Sequence, residues 1–202
     1  NYLKQNNFTP NRGELLDILT MISFIVKYHH RGSDFFDKIC QVITLITDNI
    51  KTFLSNEEIF DQFNYSQQIL MFLFRQKIII YNKIISHKIL KESDPIGRRF
   101  CNILYPAIKP LISRSKQKYI EKKLLKFDPQ ILSNLEEKLQ KGENDSYICS
   151  LIRDDSVEEF ISYINKINYN ISNIIKPSFF ETNTFLNENK DTTLIEYAAF
   201  YG

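Results

Sequence analysis

Within 202 residues, 43% hydrophobic and 13% aromatic side chains supply enough apolar material for a sizeable core, which excludes a chain disordered throughout. A net charge of +2 argues against a polyanion binder acting through global charge, and five Gly with six Pro favour long helices over a turn-rich all-β fold. Charge is nevertheless uneven: nine Lys/Arg face one acid, Glu121, between Arg98 and Lys126, and eight acids face three bases between Glu136 and Glu159.

The first helical pattern runs from about Gly13 to His30, with Leu15, Ile18, Leu19, Ile22, Ile25, Val26 and His29 recurring at three- and four-residue steps. Gly32 is a natural stop, and Ser33 or Asp34 can cap a following helix whose single stripe runs from Phe35 to Phe53. Ser55-Asn56-Glu57-Glu58 has the chemistry of another helix start. From Ser66 to about Lys91 the spacing predicts one long helix, apolar nearly all round in its first half and suited to the middle of a bundle. Asp94-Pro95 starts a short helix, and Pro106 and Pro110 then interrupt the chain. A basic helix follows from about Leu111 to Lys126. Another starts at Asp128-Pro129, reaches Leu139 and is closed by Gly142. No period-two strand pattern emerges, so the expected fold is all-α.

Polar residues after Gly142 mark a hinge, which divides the chain into a helical domain over 1–143 and a second unit over 144–202. The second unit ends on "TLIEYAAFYG", Thr193 to Gly202, which matches the ankyrin pattern T-P-L-H-x-A-A-x-x-G at Thr193, Ile195 (for Leu), Ala198, Ala199 and Gly202. Leu194 stands in place of Pro and Glu196 in place of His, but Thr193 and Glu196 together form a capping box. A degenerate earlier copy, Tyr147 to Ile164, offers a first helix, a polar turn at Asp154-Asp155 and a second helix expected to bury Phe160, Ile161 and Ile164. Aligning Asp155 with Gly202 gives an offset of 47 residues. Ankyrin repeats recur at about 33, so the surplus is expected as a long loop, between about Asn165 and Asp191, that extends the hairpin finger.

The segment from Ser146 to Gly202 resembles the ankyrin-associated region of trichomonad-type ankyrin-repeat proteins, in which a helical domain of unknown function precedes an ankyrin array. The resemblance implies a protein-interaction scaffold and implies no ligand or reaction. On that reading the fold is an N-terminal multi-helix domain followed by the start of an ankyrin-like solenoid, and the chain stops one turn before a second helix would begin.

Catalytic chemistry has little support. Motifs for nucleotide, zinc-protease or serine-hydrolase chemistry do not occur, so the expectation is no enzyme, no cofactor and no metal site. His29 and His30 diverge on a helix and more simply complement a helix C-terminus. Cys40, Cys101 and Cys149 read as free, reduced thiols, and the absence of a signal peptide pattern or an uninterrupted apolar span leads to an expected cytoplasmic, or nuclear, location.

Two candidate surfaces remain. Phe200 and Tyr201, beside Phe179 and Phe180 of the long loop, are either exposed anchors for a protein partner or members of an internal aromatic pack. Arg114, Lys116, Lys118, Lys122, Lys123 and Lys126, with Tyr119 among them, could meet nucleic acid or an anionic membrane. The competing reading pairs that helix face with the acidic 136–159 region, which makes nucleic acid the disfavoured partner and other proteins the favoured one.

Overall fold

The computed structural model describes residues 10–29, 34–64, 66–90, 104–127, 137–138, 142–176, 178, 180–183, 185–186 and 191–201. The described chain is helical. In order come α1 (Arg12–Lys27), α2 (Asp34–Leu45), α3 (Thr47–Phe53), α4 (Asn56–Gln62), α5 (Gln67–Arg75), α6 (Lys83–Ile89), α7 (Tyr105–Ile108) with a 3-10 turn (Lys109–Leu111), α8 (Arg114–Phe127), α9 (Tyr147–Arg153), α10 (Val157–Lys166) and α11 (Leu194–Tyr201). Among the described residues the only β pairing is an isolated antiparallel bridge, Ile174 to Thr193. The expected short helix after Asp94-Pro95, the cap at Asp128-Pro129, and Gly32, Cys101, His30 and Phe179 lie outside the described residues.

In the N-terminal region α1 packs on α3, α4 and α5. Asn11 starts α1 with a capping box: its side chain accepts the Glu14 N–H at 3.0 Å, and its own N–H donates to Glu14 Oε2 at 2.9 Å. Ser55 and Glu58 do the same for α4, as the sequence predicts. The buried stripe of α1, Leu15, Leu19, Ile22 and Val26, meets the largest apolar cluster, which runs through Ile43, Ile50, Phe63, Ile69, Leu73 and Ile85 to Ile108, Ile120 and Leu124.

Two predicted helices are each divided. The stripe from Phe35 to Phe53 breaks at Ile46, where the hydroxyls of Thr44 and Thr47 donate to the carbonyls of Cys40 and Ile43, four residues back. Such bonds compete with the helix ladder and bend it. The helix predicted from Ser66 to Lys91 ends at Arg75. Lys77 adopts φ +54°, its N–H donates to Phe74 O at 3.1 Å, and the Ile78 N–H donates to Leu73 O at 2.9 Å. This is a Schellman termination with Lys where Gly is usual. Burial of both Leu73 and Ile78 completes it. Asn56 then holds the next stretch, donating to Ile80 O at 2.9 Å and accepting the Ile80 N–H at 3.2 Å, before Asn82 caps α6.

Gly142, in the predicted hinge, has φ +65° and donates to Lys138 O at 3.1 Å, so the glycine closes the helical backbone of residues 137–138. Beyond it lies a second, smaller apolar cluster of Cys149, Ile175, Leu186, Leu194 and Tyr197. There α9 packs against both α10 and α11.

A candidate functional site in the C-terminal helical unit

The α9–α10 turn repeats the termination seen at Lys77. Asp155 has φ +49°, its N–H donates to Ile152 O, and the Ser156 N–H donates to Leu151 O. α10 ends in the same manner at Asn168, φ +50°. Asp and Asn enter this backbone region more readily than other non-glycine residues. Thr193 and Glu196 form the predicted box at α11: the Glu196 N–H donates to Thr193 Oγ1 at 3.3 Å and the Thr193 N–H to Glu196 Oε2 at 2.7 Å.

A polar network sits where the unit meets the rest of the chain. Arg153, at the end of α9, donates from Nη1 to Asn144 O and to the Tyr197 hydroxyl, both at 2.7 Å, and its Nε lies 3.0 Å from Glu143 Oε2. The guanidinium also lies 6.0 Å from the Tyr201 ring centre. Burial raises the phenol pKa values of Tyr197 and Tyr201, so both stay neutral donors at any physiological pH. The Cys149 thiol is likewise pushed up by burial, which keeps it unreactive.

The loop between α10 and α11, predicted to extend a finger, folds back instead. Its base is pinned by the Ile174–Thr193 bridge and by the Ile175 N–H donating to Thr192 O at 2.9 Å. Phe180, 1% exposed, joins the N-terminal apolar cluster, with Lys138 Nζ 5.0 Å from its ring centre. Thr182 donates from both its N–H (3.0 Å) and its hydroxyl (2.6 Å) to Gly142 O, and Asn183 Nδ2 donates to His29 O at 3.1 Å. Beside them Glu181 is buried, accepting the Asn183 N–H at 2.8 Å and the Asn144 N–H at 3.2 Å. Burial raises its pKa to about 7 against those two donors, and the charge of Glu143 acts in the same direction as burial.

Placement of the three described aromatic anchor candidates follows from this docking. Phe180 is core and unavailable as an exposed anchor, because its ring closes the larger cluster. Phe200 and Tyr201 are half-buried: Phe200 stacks on Phe185 at 5.7 Å, Tyr201 lies 4.7 Å from Tyr197, and Phe185 reaches Tyr28 of the N-terminal region at 6.1 Å. The internal pack was the alternative reading of these rings. Sequence reasoning missed a different surface. Ile161, expected to be buried, is 49% exposed, and Val157, one turn earlier on α10, is 57% exposed. Phe160 packs against the small cluster, and both it and Ile164 are half-buried. The strong amphipathicity of α10 was legible, but not which flank its neighbours would leave open.

On α8, Ile120 and Leu124 face the core, and the six predicted cations lie on exposed positions. Glu121 is held below the ordinary carboxylate range by hydrogen bonds from Lys109 and then from Tyr105. His29 is exposed, with its ring 4.6 Å from Phe35. Neither Cys40 nor Cys149 is in a disulfide, and among the described residues no three His, Cys, Asp or Glu side chains are grouped to hold a metal ion. No helix among the described residues is long and apolar enough to cross a membrane.

Searches against protein-family models, curated proteins and solved structures returned no match to the chain.

Proposed function

We propose that the chain is a non-catalytic protein-recognition scaffold, in which an N-terminal helical domain leads into ankyrin-type repeats. One observation carries the reading: α11 lies along α9, the helix in the same place of the preceding unit, which is how successive repeats of a solenoid stack. The register is supported by Asp155, whose left-handed backbone falls at the position aligned with the pattern's glycine. It is supported again by α11 itself. Leu194 and Tyr197 are buried toward the small cluster, whereas Ile195 and Ala199, one turn apart, are exposed on another side of the helix. A small residue beside an exposed aliphatic one suits the close approach of a further helix. On this reading the apolar flank of α10, Val157 and Ile161, offers the protein-binding surface in place of Phe180, Phe200 and Tyr201.

The repeat register is tested by appending a consensus ankyrin repeat in frame after Gly202. The expected result is a higher melting temperature for the α9–α11 unit, abolished by Ile195→Asp; an appended repeat that melts independently overturns the register. Recognition is tested by photo-crosslinkers at Val157 and Ile161 in cells. Discrete protein adducts support the scaffold, and adducts confined to nucleic acid, or none, reject it.

A further inference from the structure

The acids of the 136–159 region that meet a base among the described residues meet one from their own segment: Lys138 pairs with Asp145, and Arg153 with Glu143. The single acid on α8, Glu121, is neutralised locally by Lys109 and bonded by the Tyr105 hydroxyl at 2.6 Å, so it offsets none of the outward charge.

What α8 presents to solvent is ordered by its own geometry. The face opposite Ile120 and Leu124 carries Lys118, Lys122 and Lys126 at four-residue intervals, which a rise of 1.5 Å per residue sets about 6 Å apart along the axis. Lys116 and Lys123 flank the row. Tyr119, 48% exposed, stands beside it with Lys123 Nζ 4.5 Å from its ring centre. Next to Tyr119 an open groove of about 470 Å³ is lined by Leu90, Ser115, Lys116, Tyr119 and Ile120. A cationic row, an exposed aromatic ring and an adjacent groove with an apolar floor and a hydroxyl are the parts of a single-strand site: the row follows phosphates while a base stacks or inserts beside it. A membrane fits less well, because Ile120 and Leu124 are turned into the core and Leu125 is the one exposed aliphatic among the described residues of α8.

We propose that this face of α8 binds single-stranded nucleic acid, with Lys118, Lys122 and Lys126 contacting successive phosphates and Tyr119 with the Leu90–Lys116 groove receiving a base. The surface is separate from the α10 flank, so its success or failure leaves the scaffold reading standing.

The test is fluorescence anisotropy of the full chain with labelled 20-nucleotide mixed-sequence RNA and DNA strands, their duplexes, and phosphatidylserine vesicles, titrated with salt. Each phosphate neutralised on a single strand contributes about −0.7 to the slope of log affinity against log salt, so three contacts predict a slope of about −2. The triple variant K118E/K122E/K126E should abolish that slope and lower affinity at least about tenfold. Tyr119→Ala should weaken binding about tenfold, the loss of one stacked base, with the slope unchanged. All four side chains are exposed, and unchanged circular dichroism melts verify that the variants stay folded. Equal loss for RNA and DNA assigns the site to the shared phosphate and base chemistry, and a preference for one assigns it to that strand. No binding at low salt, binding indifferent to the charge reversals, or tighter binding to duplexes or vesicles overturns the proposal.

Discussion

In the N-terminal region, α1, α5 and α6 press Leu15, Leu19, Ile69, Leu70, Leu73 and Ile85 together, all fully buried, and hydrogen bonds between side chains run mostly over the outside. In the C-terminal unit the buried cluster is Cys149, Ile175, Leu186, Leu194 and Tyr197, and the space beside it is filled by Arg153, Glu143, Asn144 and Glu181. A buried aliphatic side chain contributes about 1.5–3 kcal/mol, so the first region has ample apolar burial of its own. The second has few such residues and relies on satisfied polar contacts and on the loop that inserts Phe180 into its neighbour. A small helical unit is stable here because it borrows a core.

The most damaging way to break that dependence is Phe180→Ala. Removing a buried Phe costs about 3–5 kcal/mol, and the loss should fall on the docking. Hydrogen exchange of α9–α11 amides should accelerate far more than that of α1 and α5; uniform acceleration would mean that the two regions form one cooperative unit.

Next in size is the charge of Glu181. Its folded pKa of about 7 lies above the ordinary 4.5, so the folded state holds the proton more tightly. The stabilisation is fully present below pH 4.5, is lost as pH rises from there through 7, and amounts to about 3 kcal/mol. Denaturant titrations at pH 5 and pH 8 should show this fall, and Glu181→Gln should flatten it. The depressed carboxyls Glu58 and Glu196 act in the other direction and only below pH 4.5, outside that window.

Thr193→Ala removes one side of the α11 box and should cost about 1 kcal/mol, read as local fraying of α11 by hydrogen exchange with little effect on α1. The smallest change sharpens the comparison from the other side. Lys77→Gly, relieving a left-handed Lys, should stabilise the N-terminal region by about 0.5–1 kcal/mol, seen as a higher denaturation midpoint. Asp155→Gly and Asn168→Gly should gain less, because Asp and Asn tolerate that backbone better.

Much of the local structure was legible. Ser55-x-x-Glu58 and Thr193-x-x-Glu196 name their own helix starts, since each box closes within four residues. The α1 stripe and the cationic face of α8 follow from helical period alone. Ile161 was misplaced because periodicity gives a side of the helix and not the neighbour that covers it.

By itself, then, the sequence determined the all-α class, the capping chemistry, the glycine stop at Gly142 and the amphipathic stripes, each of which is settled by residues within a few positions of one another. Only the tertiary structure decided that the 66–91 helix would stop at Arg75, since a left-handed Lys77 is tolerated because Ile78 finds burial beside Leu73. It also decided that the long loop folds inward: Phe180 gains a place in a core more than fifty residues away in sequence, and Thr182 and Asn183 satisfy carbonyls at Gly142 and His29. Those partners are distant in the chain, and no local pattern encodes them.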